Sequence, residues 1–248
     1  MTTAAAAAAV LTLAFCTPAA MASGTQDISE STQTGMSSPG SSLVAGVRPQ
    51  YTASDYVDVS DGKYKSLHLT LLGPVDSSDE AKAQYQTDLD TEIMKQLFNL
   101  YPVSSYPDSL LTYMTSGLTE TYQEMAGLYG MDFGSFLQTY LKMDEDTFAS
   151  EVSTMAKTAM TQELILKAVA EKENLSVSDG EYTAGLEAYA KKYGYSSTDA
   201  LLQDFDEPTV RISLLMDKTM DFLETSTEVT DPSETETEES EAAVNTVQ

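Results

Sequence analysis

From Ala81 to Leu223 the large apolar side chains recur three and four residues apart, in one segment after another. That spacing puts them on one face of a 3.6-residue helix, and it leaves little of the chain free for sheet. Ala81, Tyr85, Leu89, Ile93, Leu97 and Leu100 form the first stripe, with Ser77 and Glu80 before it at capping-box spacing and Pro102 after it. Leu110, Leu111, Met114, Leu118, Tyr122, Met125 and Tyr129 form the second, which stops at Gly130; Gly117 inside it marks a bend or a close contact. A short amphipathic piece runs from Phe133 to Leu141. Asp144 then caps a long helix carrying Phe148, Val152, Met155, Ala159 and Leu166. Ser178 and Glu181 make another capping box, opening a helix with Tyr182, Leu186, Tyr189 and Tyr193 that closes at Gly194. A turn of helix from Thr198 to Phe205 precedes the last stripe, which has Pro208 in its first turn and runs through Ile212, Leu215, Met216, Thr219, Phe222 and Leu223. The strand candidate is residues 63–72, where Leu67, Leu69 and Leu71 alternate with His68 and Thr70 before Gly73-Pro74 ends the run. The expected fold is mainly α, with antiparallel helices on short connections and one short strand segment.

Charge removes whole classes of function. The 39 acidic residues against 13 basic ones leave a formal charge of −26, a field that repels phosphate backbones and argues against nucleic-acid binding. One cysteine, Cys16, and one histidine, His68, exclude an intramolecular disulfide, a thiolate zinc site and any His–His metal motif. No cofactor or metal is expected. His68 reads as a solvent-facing strand residue rather than a catalytic base. The carboxylate pairs Asp144/Asp146 and Asp204/Asp206 have the chemistry for acid–base work or calcium, but they fall at helix starts and connections, where aspartate serves as a cap.

The two ends differ from the middle. Residues 4–22 are apolar and Ala-rich, too short for a comfortable membrane span, and Ala20-Met21-Ala22 has the small-x-small pattern of a signal-peptide cleavage site. The expected mature chain starts at Ser23 and is secreted or held at the cell envelope. The alternative is lipidation at Cys16, against which the bulky Phe15 stands; no Lys or Arg precedes the apolar run. Membrane association is expected only if Cys16 is lipidated or the signal is retained. Residues 23–48 are Ser-, Gly- and Thr-rich and read as a flexible linker. Residues 49–104 hold the strand and the first helix, and residues 105–223 the helical domain. Residues 224–248 read as an acidic disordered tail that promotes solubility.

A resemblance enters along the helical part. Pro107-x-x-Leu110-Leu111, Tyr129-Gly130-Met131-Asp132 and Phe136-Leu137 are similar to the start of the trigger factor C-terminal domain. The strongest likeness is Leu164-Ile165-Leu166-Lys167-Ala168-Val169-Ala170-Glu171-Lys172-Glu173, continuing as Asn174-Leu175-Ser176-Val177-Ser178-Asp179-Gly180-Glu181-Tyr182. It resembles that family's helix–turn–helix corner, which the helical domain of parvulin-linked periplasmic chaperones shares. Tyr189-Ala190, Tyr193-Gly194, Asp217-Lys218 and Asp221-Phe222-Leu223 follow in the family's order. The resemblance implies an ATP-independent chaperone that binds unfolded or exported polypeptides in an apolar helical cradle. The family's ribosome-docking loop and prolyl isomerase domain have no counterpart here, so the expectation is an extracytoplasmic holdase with no ribosome partner.

Such a cradle needs adaptable apolar surface, which methionine and aromatic side chains supply. The candidates are Met125, Leu128, Tyr129, Met131, Phe133, Phe136, Tyr140 and Met143, with Tyr189, Tyr193 and Tyr195 on the other side. The competing reading of the same stripe is plain core. Two other functions remain open: a dedicated partner-binding or scaffold module of the cell envelope, and a peptidyl-prolyl isomerase, for which no aromatic-lined cleft is evident.

Overall fold

The computed structural model describes residues 46–232. The expected signal segment with Cys16, most of the 23–48 linker and the tail from residue 233 onward lie outside the described residues. In chain order the regular elements are β1 (His68–Thr70), α1 (Asp79–Leu100), α2 (Asp108–Leu128), α3 (Phe133–Phe136), a π-helical turn (Leu137–Leu141), α4 (Glu145–Glu173), α5 (Asp179–Lys192), α6 (Thr198–Asp204), α7 (Glu207–Ser226) and β2 (Glu228–Thr230). The fold is mainly α, as the apolar spacing requires, with helical arms of the expected type. The chain divides into two compact units. One comprises the described residues up to Tyr51, Ser105–Thr161 and Ser176–Leu214; the other comprises Thr52–Ser104, Gln162–Leu175 and the residues from Leu215 on.

In the first unit three buried clusters hold the helices. One joins Leu110, Tyr113 and Met114 of α2 to Ala156, Ala159 and Met160 of α4. Another joins Ala126 to Phe136, Leu137, Phe148 and Val152. The third gathers Leu186, Tyr189 and Ala190 of α5 with Leu201, Phe205 and Val210. Full burial of each large apolar side chain stabilises the fold by about 1.5–3 kcal/mol. Arg48, expected to close the flexible linker, is instead buried, with its guanidinium 5.6 Å from the Tyr113 ring centre. The Arg48 backbone N–H donates to Asp206 Oδ2 at 2.8 Å. Composition over a wide window missed one anchored cation.

Three helices end in the same way. After α2, α4 and α5 a left-handed residue (Gly130, Asn174 or Gly194) lets the next N–H bond back into the last turn: Met131 to Ala126 O at 3.0 Å, Leu175 to Ala170 O at 2.9 Å, Tyr195 to Ala190 O at 2.8 Å. Each turn folds an apolar residue back onto its helix. At the opening of α5 both halves of the predicted capping box form, Ser178 accepting from Glu181 N and Glu181 accepting from Ser178 N at 2.8 Å. Ser178→Ala is expected to cost about 1 kcal/mol, measured as a lower denaturant midpoint; no change would mean that the cap is idle. The expected Ser77/Glu80 box does not form. Asp76 accepts the Ser78 N–H at 2.8 Å, so Ser78 becomes the cap, accepting from Ala81 N at 3.1 Å.

In the second unit, Leu164, Ile165, Leu166, Ala168, Val169 and Ala170 of α4 are all buried. Its last carboxylates hold the segment before β1. Glu171 accepts the N–H groups of Ala53 and Ser54 at 3.0 and 3.1 Å, and Glu173 takes the Tyr64 hydroxyl and the Lys65 ammonium. Tyr101 donates to Asp61 at 2.8 Å and accepts Tyr64 N–H at 3.1 Å. Of the 63–72 strand candidate only His68–Thr70 is strand, with Leu69 buried between exposed neighbours. It pairs in parallel with β2, Leu69 opposite Val229. The start of the acidic tail therefore differs from expectation: α7 runs to Ser226, and Glu228–Thr230 is recruited by β1. Asp231 also accepts the Gly73 N–H at 2.9 Å.

Candidate functional site

Between the end of α2 and the start of α4 the chain gathers aromatic and thioether side chains. Phe148 is the buried centre. Tyr122 meets it edge-on at 5.1 Å and 74°, and Phe133 at 5.2 Å and 88°, both arrangements that aromatic quadrupoles favour. Met125, Met131, Leu141 and Met143 pack half-buried around the same cluster. Beside it Tyr129, Phe136 and Tyr140 form a second ring group, with centroids 5.8, 5.0 and 5.2 Å apart. Phe136 is buried, but Tyr140 is 48%, Tyr129 55% and Leu128 60% exposed.

Local sequence explains how an apolar group stays in water. Gly130 stops α2 in the left-handed conformation, so Met131 folds inward while Leu128 and Tyr129 stay on the surface. Asp132 caps α3, accepting from Ser135 N at 2.9 Å. The turn through Tyr140 is π-helical, a rare geometry, and ends at Lys142 with φ 59°. The Lys142 ammonium bonds the Thr139 carbonyl at 2.8 Å. Hydrogen bonds from Ser135 hold the Asp132 carboxyl below its ordinary range, and those from Thr147 do the same for Asp144. Burial pushes the Tyr122 hydroxyl up. The arrangement is an exposed aromatic surface whose flanking acids stay ionised.

The candidates from Met125 to Met143 thus come together, with Met125, Met131, Phe133 and Met143 half-buried and Phe136 buried. The tyrosines of the second set pack in a separate cluster. Tyr189 is buried, Tyr193 lies 5.8 Å from it with the Lys192 ammonium 5.4 Å from the Tyr193 ring centre, and the Tyr195 hydroxyl donates to Asp204 at 2.8 Å. Burial, and then that bond, raise the Tyr195 hydroxyl. These three hold α5 to its neighbours in that unit. Helical spacing marks Tyr122 and Phe148 as stripe residues only; their ring contacts leave no trace in it.

Asp144, Asp204 and Asp206 of the acidic pairs have structural duties, Asp204 as the acceptor for Tyr195. Asp144 accepts from Thr147 N at 2.8 Å, and Asp206 from Thr209 N at 3.0 Å and Arg48 N. Among the described residues no group of three or more His, Cys, Asp or Glu is placed to hold a metal ion. His68 lies on the exposed face of β1, its Nδ1 3.0 Å from Glu228. No helix among the described residues is long and apolar enough to cross a membrane.

The sequence profile of the bacterial trigger factor protein (TF) C-terminus matches residues 77–224. Trigger factor of Acetivibrio thermocellus is 27% identical over 119 residues, 47% of this chain and 28% of that protein, so the chain spans under a third of its relative's length. No solved structure matches the chain. Since the profile covers more than half of its length, the protein belongs to the family of the bacterial trigger factor C-terminus, a chaperone-type family.

Proposed function

We propose that the protein is a non-catalytic, ATP-independent holdase that acts outside the cytoplasm and holds unfolded or exported polypeptides on the surface built from residues 125–143. The observation that carries this reading is the exposure of Leu128, Tyr129 and Tyr140 on top of a packed aromatic cluster, within the family match. The apolar segment 4–22 with Ala20-Met21-Ala22 supports export. Magnitudes favour transient holding. The three exposed side chains offer on the order of 300 Å², or about 7 kcal/mol gross at about 25 cal/mol per Å². Association costs of about 4–15 kcal/mol consume most of that. One such contact is weak, and retention requires several at once along an unfolded chain.

The test is suppression of aggregation when a denatured enzyme is diluted out of guanidinium with the full-length protein in excess. Wild type is expected to suppress it. L128S/Y129S/Y140S is expected to lose at least about two thirds of the effect with unchanged helix content, because exposed substitutions cost little stability. A wild type without effect, or a triple variant as active as wild type, would remove the proposal. Acceleration of proline-limited refolding would assign catalysis instead, and one stoichiometric partner recovered from the envelope or supernatant would favour a dedicated scaffold.

A further inference from the structure

Among the described residues sulfur occurs only in methionine, because the one cysteine, Cys16, lies outside them. The thioethers are unevenly shielded. Met94, Met114, Met160 and Met220 are buried. Met125, Met131 and Met143 are half-buried, and all three pack on the cluster centred on Phe148. Met155 and Met216 are also half-buried but lie outside that cluster. A thioether suits a ring edge because it is polarizable and apolar, and such contacts stabilise. A sulfoxide does not suit it. Its oxygen needs a hydrogen-bond donor, and of the side chains gathered there (Leu118, Phe133, Phe136, Leu137, Leu141, Phe148 and Val152 among them) only Tyr122 carries one. A sulfoxide turned inward is therefore short of donors, and one turned outward draws its side chain off the rings.

We propose that Met125, Met131 and Met143 form a sulfoxidation site through which peroxides loosen the aromatic cluster, reversibly. The sulfur lone pair attacks one oxygen of the peroxide and the O–O bond breaks. The new S–O bond makes a sulfoxide, and the other oxygen leaves as water once it has taken the proton. Sulfur gives up two electrons and the peroxide takes them, so no further reactant is needed. Access sets the order: water and peroxide reach the three rim sulfurs before the four buried ones. The change reaches the exposed surface through Phe136, which belongs to the same cluster and lies 5.8 Å from the Tyr129 ring and 5.2 Å from the Tyr140 ring. Oxidation thus disperses the surface that holds polypeptides, a consequence that rests on that reading. The modification and its effect on the fold do not rest on it.

The test is graded treatment of the full-length protein with hydrogen peroxide, read by peptide mass mapping and by melting temperature, neither of which involves a client. Oxygen is expected on Met125, Met131 and Met143 before Met94, Met114, Met160 and Met220. Melting should fall by about 5 °C or more once the three are oxidised. M125L/M131L/M143L, which keeps nearly the same volume without sulfur, should lose less than about a third as much under the same treatment. Oxidation of the buried methionines as early as the rim ones would overturn the site. So would unchanged melting with all three oxidised, or an equal loss in the leucine variant. Should that variant not fold, wild type decides: methionine sulfoxide reductases of both stereochemical types should remove the added oxygen and restore melting, and removal without restoration refutes the site. A fall in melting that leaves aggregation suppression untouched would keep this site and count against the holding surface instead.

Discussion

Replacing Phe148 with alanine is expected to remove about 3–5 kcal/mol of stability and most of the polypeptide binding with it. The side chain is fully buried at the centre of the aromatic cluster, with Tyr122 and Phe133 set edge-on against it. Truncation leaves a cavity that two rings cannot fill without turning out of their favourable geometry. Against total stabilities of about 5–15 kcal/mol for small folds, such a loss is a third or more. The functional effect follows from position. Phe136 shares that core with Phe148 and is also the floor under Tyr129 and Tyr140, so a relaxed core frees the exposed rings to disperse. Denaturant unfolding followed by tyrosine circular dichroism should show a lower midpoint with an unchanged slope. F148L, which keeps most of the volume, should lose less than half as much. A cost below about 1 kcal/mol for F148A would show that the cluster is not packed around this ring.

The second large effect is expected from Glu173→Ala, at about 2–3 kcal/mol. Tyr64 is among the largest fully buried side chains, and its hydroxyl donates to Glu173, which also holds Lys65 at 2.7 Å. Removing the carboxylate leaves a buried hydroxyl without its acceptor and releases the segment before β1 from α4. Removing both partners should cost less than the two single changes added together. In E173A the further change Y64F should therefore be nearly neutral or restoring, although Y64F alone destabilises. Lys65, and then Tyr64, hold the Glu173 carboxyl below its ordinary 4.5. Its contribution is therefore present above that value and is lost as pH falls through the depressed folded value. The difference in melting temperature between wild type and E173A should shrink on acidification. A difference that grew in acid would contradict this contact.

What the sequence made legible was local. The Ser178/Glu181 box and the left-handed Gly130 and Gly194 depend on residues within one turn of each other, and all three stand as read. The Ser77/Glu80 box failed by one residue because a competing acceptor, Asp76, took the Ser78 N–H first. β1 is shorter than its alternating pattern because its length is set by β2, more than 150 residues later, inside a segment whose acidity suggested no structure. Burial was the least legible property. Tyr129 and Tyr189 sit at equivalent places near the ends of tyrosine-bearing stripes, yet one is exposed and the other buried. The difference comes from the neighbours that Gly130 and the π-helical turn supply on one side, and α6 on the other, which helical spacing does not encode.

Direct titration of an unfolded, tryptophan-bearing client with the full-length protein tests the exposed aromatic surface most closely. The chain has no tryptophan, so all indole emission belongs to the client. Saturable binding is expected, roughly micromolar for a client that engages several contacts, with L128S/Y129S/Y140S weaker by about fivefold or more, near 1 kcal/mol. Equal affinity for wild type and the triple variant, or no binding at all, would contradict the assignment of residues 125–143 as the client surface.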